Sequence, residues 1–164
     1  MRSFTHLNIT SGYSFKYGAS HVEQLVDQSS QNGATALALT DRDTMAGAIV
    51  FAQACEKYGI TPILGVNLGF LQKRHRVILL ARSGHLGSLY KFLTAVNFSS
   101  EERVITYEVI KRCAELTQNI SLVHSIESQL ISEIGGRNEG EALSIYQDRK
   151  STRLNSSHTD ISRM

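Results

Sequence analysis

Apolar and polar positions alternate from Phe4 to Ile9, the two-residue period of a strand. A polar, glycine-punctuated loop follows over residues 10–19. Ser20-x-x-Glu23 reads as a capping box, in which the Ser hydroxyl and the Glu carboxylate satisfy each other's backbone amides. Val22, Leu25 and Val26 form the apolar face of the helix it opens, and Gly33 is a suitable left-handed stop. Ala36 to Leu39 is a short apolar run of the kind buried on both faces in parallel sheets. A second helix is predicted over about Thr44–Tyr58, ended by Gly59. Ile60–Leu68 is the third strand, with Pro62 near its start, where a missing amide donor is tolerated. Val77–Ala81 is the fourth. Between these two strands, the basic run Lys73-Arg74-His75-Arg76 reads as a solvated turn, with a phosphate contact as the alternative. Helices are predicted at about Leu86–Val96 and Tyr107–Leu116, and a strand at Ile120–His124. A last helical region covers about Ser125–Tyr146, interrupted at Gly135-Gly136. Strand and helix alternate throughout, so the predicted class is α/β with a mainly parallel sheet.

Composition narrows the class. A chain of 164 residues with 41% apolar and 20% charged side chains fits one soluble globular domain with a real core. No apolar run reaches the roughly 18 residues needed to span a bilayer. The first twenty residues lack the basic start and apolar stretch of a signal peptide. Cys55 and Cys113 stand apart with no paired spacing, so two buried thiols in a reduced, cytoplasmic setting are expected. The formal charge of +2 resides entirely in residues 148–164, which hold four basic and two acidic side chains. Residues 1–147 are balanced, whereas a module that grips DNA alone carries a basic patch or stripe. The stretch Asp148 to His158 reads like one frame of a sequencing-library adapter. Residues 148–164 are therefore set aside as a non-native tail, and residues 1–147 are expected to be part of a longer natural chain.

Three blocks carry the chemistry. The first runs from Phe4 through His6, Asn8 and Thr10 to Tyr13-Ser14-Phe15 and Gly18-Ala19-Ser20. The second is Ala36-Leu37-Ala38-Leu39-Thr40-Asp41-Arg42-Asp43, followed by Met45-Ala46-Gly47. The third is Gly59-Ile60-Thr61-Pro62-Ile63-Leu64-Gly65-Val66-Asn67. In order and spacing they resemble the polymerase and histidinol phosphatase (PHP) domain that opens the alpha subunit of bacterial DNA polymerase III. The resemblance is strong over residues 4–67 and looser to residue 147. It lacks the family's glycine-rich turn after Ile120–His124, where His124-Ser125-Ile126-Glu127 stands. The Arg42-Asp43-Thr44 variant is most similar to a divergent, error-prone paralogue. The resemblance implies a distorted seven-stranded (β/α) barrel, of which residues 1–147 supply roughly five strands.

The resemblance also implies a metal site at the carboxyl ends of the strands. In that family the first strand carries His-x-His-x-His, the second ends in Thr-Asp-His and the third in Gly-x-Glu. Here the corresponding positions hold His6, Asn8, Thr10, Arg42 and Asn67, with Asp41 beside Arg42. Amides and a hydroxyl are weak ligands, and a guanidinium repels a dication. Two surviving ligand types do not make a catalytic metal site.

Structural roles are expected for the same side chains. His6 is expected to be a hydrogen-bonded core histidine. Asp41 is expected to cap the following helix or pair with Arg42, and Asp43 is as good a cap. Arg42 is expected to pair with Asp41, Asp43 or another local acceptor. Tyr13 and Phe15 are expected to pack the loop over the barrel mouth; base stacking is the alternative, with nothing in the sequence to support it.

The leading reading is a non-catalytic PHP module. By the resemblance, its parent chain extends DNA with Mg in downstream polymerase domains and docks a proofreading exonuclease subunit. It meets DNA through the parent chain and needs no cofactor or membrane of its own. The rivals are a stand-alone PHP-family phosphoesterase of the histidinol-phosphatase type and an unrelated (β/α)-barrel enzyme. No glycine-rich phosphate loop or nucleophile motif supports the last.

Overall fold

The computed structural model describes residues 4–99, 103–125, 127, 128, 140, 143 and 144. In chain order these form α1 (Val22–Gln31), β1 (Ala36–Leu39), α2 (Ala48–Tyr58), β2 (Thr61–Phe70), β3 (Gln72–Ala81), α3 (Leu86–Ser99), α4 (Tyr107–Arg112), α5 (Ala114–Thr117) and β4 (Ile120–His124). The strands make one sheet in the order β1-β2-β3-β4. Most of the last predicted helical region, including Gly135-Gly136, and all of residues 148–164 lie outside the described residues. Gly140, Leu143 and Ser144 from that region are helical.

Local signals account for most boundaries. Gly33 and Gly59 hold φ of 76° and 67°, the left-handed stops expected of them. Helix α1 starts one residue later than its sequence signal. His21 is the N-cap, and Gln24 rather than Glu23 reaches back, accepting from the His21 amide at 3.3 Å. Helix α2 begins at Ala48 rather than Thr44.

The Phe4–Ile9 segment is not a regular strand. It borders β1 through two backbone bonds, from Ala38 N to the His6 carbonyl (3.0 Å) and from Thr40 N to the Ile9 carbonyl (2.8 Å). The partners advance by two residues on β1 and by three on the other segment. One extra residue thus breaks the ladder.

The sheet is α/β, as expected, but it is not mainly parallel. The β1–β2 ladder is parallel, while β2–β3 and β3–β4 are antiparallel. The reason is connectivity. Strands β2 and β3 are joined through Leu71 alone, with φ of 60°, and strands joined so tightly must run antiparallel. Helices α3–α5 leave and rejoin the sheet at one end, since Ala81 pairs with Ile120. Strand β3 also starts earlier than predicted. Its ladder jumps from Gly69–Arg76 to Phe70–Gln72, so residues 73–75 are taken up in an irregularity while Arg76 belongs to the regular pairing.

Alternation along β2 and β3 assigns the two faces. Val66, Leu68 and Phe70 join Val77 and Leu79 in a core with Leu89, Phe92 and Val96 of α3 and with Ile105, Val109 and Ile120. A second core links α1, β1 and α2 through Val26, Leu37, Leu39, Phe51 and Cys55. Burial raises the Cys55 thiol from 9.0 to about 11, so it packs as a small hydrophobe. The opposite face of β2 carries Gly65, Asn67 and Gly69. A Cβ on Gly65 would lie 2.6 Å from the Leu79 carbonyl oxygen, so only glycine allows this close approach of strands. That second face leads to the strand ends where the candidate site lies.

Candidate functional site

The β1–β2 pairing continues past β1. Asn67 N donates to the Asp41 carbonyl and Asp43 N to the Asn67 carbonyl, both at 3.0 Å, with Arg42 opposite Asn67. Asp41, Arg42 and Asn67 are therefore brought together by backbone geometry alone. In this extended stretch, side chains of neighbouring residues point to opposite sides. Asp41 and Arg42 consequently do not pair, contrary to the sequence expectation.

Asp41 turns to the loop instead of capping a helix. Its buried carboxylate accepts from Ser11 N (2.6 Å), Ser11 Oγ (2.8 Å) and Ser14 Oγ (2.6 Å). Ser14 Oγ in turn accepts from Arg42 N at 2.8 Å. Bonds to an ionised acceptor are among the stronger ones in a protein. They tie residues 11–14 to the end of β1.

Asn67 meets a residue that the sequence reading missed. The Arg76 side chain is only 5% exposed. Its Nε donates to Asn67 Oδ1 at 2.7 Å, and its Nη2 to the Asn67 carbonyl at 2.5 Å and to Asp43 Oδ1 at 2.8 Å. The register explains the contact. Gly69 lies opposite Arg76 and Asn67 opposite Ile78, so Arg76 and Asn67 share a face as a diagonal cross-strand pair. The signal was present in the sequence, as a charge at an alternating position leading into the apolar run Val77–Leu80. Asp43 supplies the counter-charge from a left-handed conformation, φ 58°, which lets the backbone turn away directly after the ladder.

Arg42 also finds its acceptor elsewhere. Its Nη1 lies 3.3 Å from Glu127 Oε1, and its Cζ sits 3.7 Å from the centroid of the Tyr17 ring. Glu127 follows β4, so this pair connects the first and last described strands. Half-exposed, it contributes at most about 1 kcal/mol, with a similar amount from the cation–π contact.

Of the first-segment positions, His6 is set apart from this cluster, while Asn8 and Thr10 adjoin it through Thr40 and Ser11. His6 is exposed, its ring edge-on to Phe4 at 4.7 Å, so it is no core histidine. Its carbonyl sits at the level of Ala38, four residues before Arg42, or roughly 13 Å at ~3.3 Å per residue. Asn8 Oδ1 accepts from Thr40 Oγ1 at 3.2 Å, and Thr10 is half-buried. Tyr13 rests against Gly47, where an added Cβ would lie 2.8 Å from the ring. Phe15 does not pack over the mouth, being 82% exposed. Among the described residues, no three His, Cys, Asp or Glu side chains converge as metal ligands would. Amides, hydroxyls, two guanidinium groups and the carboxylates of Asp41, Asp43 and Glu127, engaged with one another or with the loop, line the strand ends.

The family model of the PHP domain matches residues 6–149. An error-prone DNA polymerase from Symbiobacterium thermophilum is 34% identical over 101 residues, covering 62% of this chain and 9% of that protein. DNA polymerase III subunit alpha from Bacillus subtilis is 41% identical over 86 residues, covering 49% of this chain and 8% of that protein. Among solved structures, an amidohydrolase from Chromobacterium violaceum aligns with a TM-score of 0.47 and 22% identity, over 70% of this chain and 37% of that one.

The Asp41 cluster makes a direct prediction. Asp41→Ala leaves the buried Ser11 amide and Ser14 hydroxyl without their acceptor and should destabilise the chain by about 2–5 kcal/mol. Proteolysis within residues 12–17 should accelerate as well. Chemical denaturation and limited digestion measure both, and wild-type values in the variant would show that the loop is held by something other than Asp41.

Proposed function

The chain belongs to the PHP domain family, and on that premise we propose that it is the N-terminal PHP module of a DNA polymerase III alpha subunit, structural rather than catalytic. The chain spans 9% and 8% of the two polymerases described above, so the activity of a whole polymerase belongs to the proposal. In this reading the downstream domains extend DNA with Mg, and the module supports them. It can also dock a proofreading exonuclease subunit. The setting is the cytoplasm. Among the described residues no helix is long and apolar enough to cross a membrane.

The observation that carries the structural role is Arg76. A buried guanidinium holds Asn67 and Asp43 at the strand ends, where metal chemistry would require anionic and imidazole ligands. A permanent cation at that point both neutralises the nearby carboxylate and repels a divalent ion. The degenerate site thus keeps its charge balance without metal. A stand-alone phosphoesterase would need ligands that Asn8, Thr10, Arg42 and Asn67 do not supply.

Two experiments test separate halves of this reading. The natural gene should continue in frame beyond residue 147 into polymerase domains with their carboxylates. A stop soon after the barrel would favour the phosphoesterase. Calorimetric titration with Mn or Zn should show no tight binding by the chain or by Arg42→His. Tight binding by the single variant would mean that enough ligands survive, and the structural role would lose its basis.

A further inference from the structure

Arg42 reaches in two directions at once. Its Cζ lies 3.7 Å from the centroid of the Tyr17 ring, and its Nη1 lies 3.3 Å from Glu127 Oε1. Tyr17 belongs to the loop between Ser11 and Gly18, and Glu127 follows β4. The three side chains therefore bridge the strand ends, from the loop to the turn after β4.

Each end of the bridge has its own fastening. On the loop side, Tyr17 N and Gly18 N donate to the Ser14 carbonyl at 2.9 Å and 3.0 Å. Ser14 Oγ donates to the buried Asp41 carboxylate at 2.6 Å. On the turn side, Ser128 N donates to the Ser125 carbonyl at 2.9 Å, and Arg76 N to the Glu127 carbonyl at 3.1 Å. The bridge itself is solvated. The Arg42 and Glu127 side chains are 16% and 42% exposed, and Tyr17 is 63% exposed. One N–H···O contact in that setting is screened by salt and shifts an equilibrium by at most about fivefold. The cation–π contact is of similar size. The bonds to Asp41 are buried, so salt screens them far less.

We infer that Tyr17, Arg42 and Glu127 form a salt-sensitive latch between the loop and the turn after β4. Closed, it couples the two segments. Open, it loosens the Tyr17 end of the loop together with the turn, while Asp41 keeps Ser11 and Ser14 on the sheet. The coupling has a physical source in Arg42. Ordering its long side chain costs conformational entropy once and serves both contacts, so losing one weakens the other. A latch this weak is set by its surroundings, because screening alone moves it. The inference stands on these three side chains and does not depend on the polymerase reading.

The test is amide hydrogen exchange of the full chain, followed residue by residue by NMR and normalised to intrinsic rates. Salt is raised from about 0.05 M to about 1 M, where the screening length falls to roughly 3 Å. Protection of the Tyr17, Gly18 and Ser128 amides should drop roughly two- to fivefold. The Ser11 amide, which donates to Asp41, should keep its protection, as should Leu79 within β3, the reporter of global unfolding. Glu127→Gln at low salt should reproduce the loss, including at Tyr17 and Gly18, and should abolish the response to salt. Tyr17→Leu should lower protection at Ser128, the reciprocal effect. The proposal is overturned if Glu127→Gln changes Ser128 but not the loop, if salt leaves all three amides as they were, or if Ser11 and Leu79 lose protection along with them.

Discussion

A guanidinium buried at the carboxyl ends of the strands has to be neutralised and hydrogen-bonded, and the rest of this site follows from that constraint. Arg76 enters on β3 with its side chain 5% exposed. Asn67 meets it with both its side-chain and main-chain oxygens, and Asp43 with a carboxylate. Removing one partner of such a group leaves an uncompensated buried charge, a loss of about 3–5 kcal/mol. The turn at Asp43, the register of β2 on β3 and the amide at position 67 are thus linked requirements.

The two arginines at the strand ends differ in kind. Arg76 is enclosed and multiply bonded, so it fixes geometry. Arg42 is partly solvated, bonded once to Glu127 and stacked on Tyr17. Its energy is small, yet it positions the base of the aromatic loop. Asp41, between β1 and the loop, is spent on serine donors and faces away from both guanidinium groups. The strand ends are thus occupied by an internal network of guanidinium groups, carboxylates, amides and hydroxyls.

Much of the fold was legible in the sequence. The strands Ala36–Leu39 and Ile120–His124 and the glycine stops at 33 and 59 appear where the residue pattern puts them, because apolar runs and left-handed glycines are local signals. Strand direction was not legible, since it depends on where the chain reverses, and a reversal at Leu71 carries no Gly, Pro or Asn. Phe4–Ile9 has a strand's alternation but not its ladder, because an extra residue relative to β1 is a tertiary mismatch. At the site, the motif singled out Asp41, Arg42 and Asn67, which the strand ends bring together, but it did not reveal the partners Asp41 and Asn67 take. Glu127 is 85 residues from Arg42, and no local pattern links them. Arg76 was hidden by its neighbours, since Lys73-Arg74-His75 made it look like part of a solvated turn.

Arg76 and Asn67 act as one unit at the strand ends. A double-mutant cycle with Arg76→Met and Asn67→Leu, read by chemical denaturation, tests it most directly. Each single change should be strongly destabilising, because it leaves a buried polar partner unsatisfied. The double variant, apolar on both strands, should recover part of the loss, with a coupling energy of about 1–3 kcal/mol. Strictly additive losses would contradict the account and show that the guanidinium and the amide are stabilised independently.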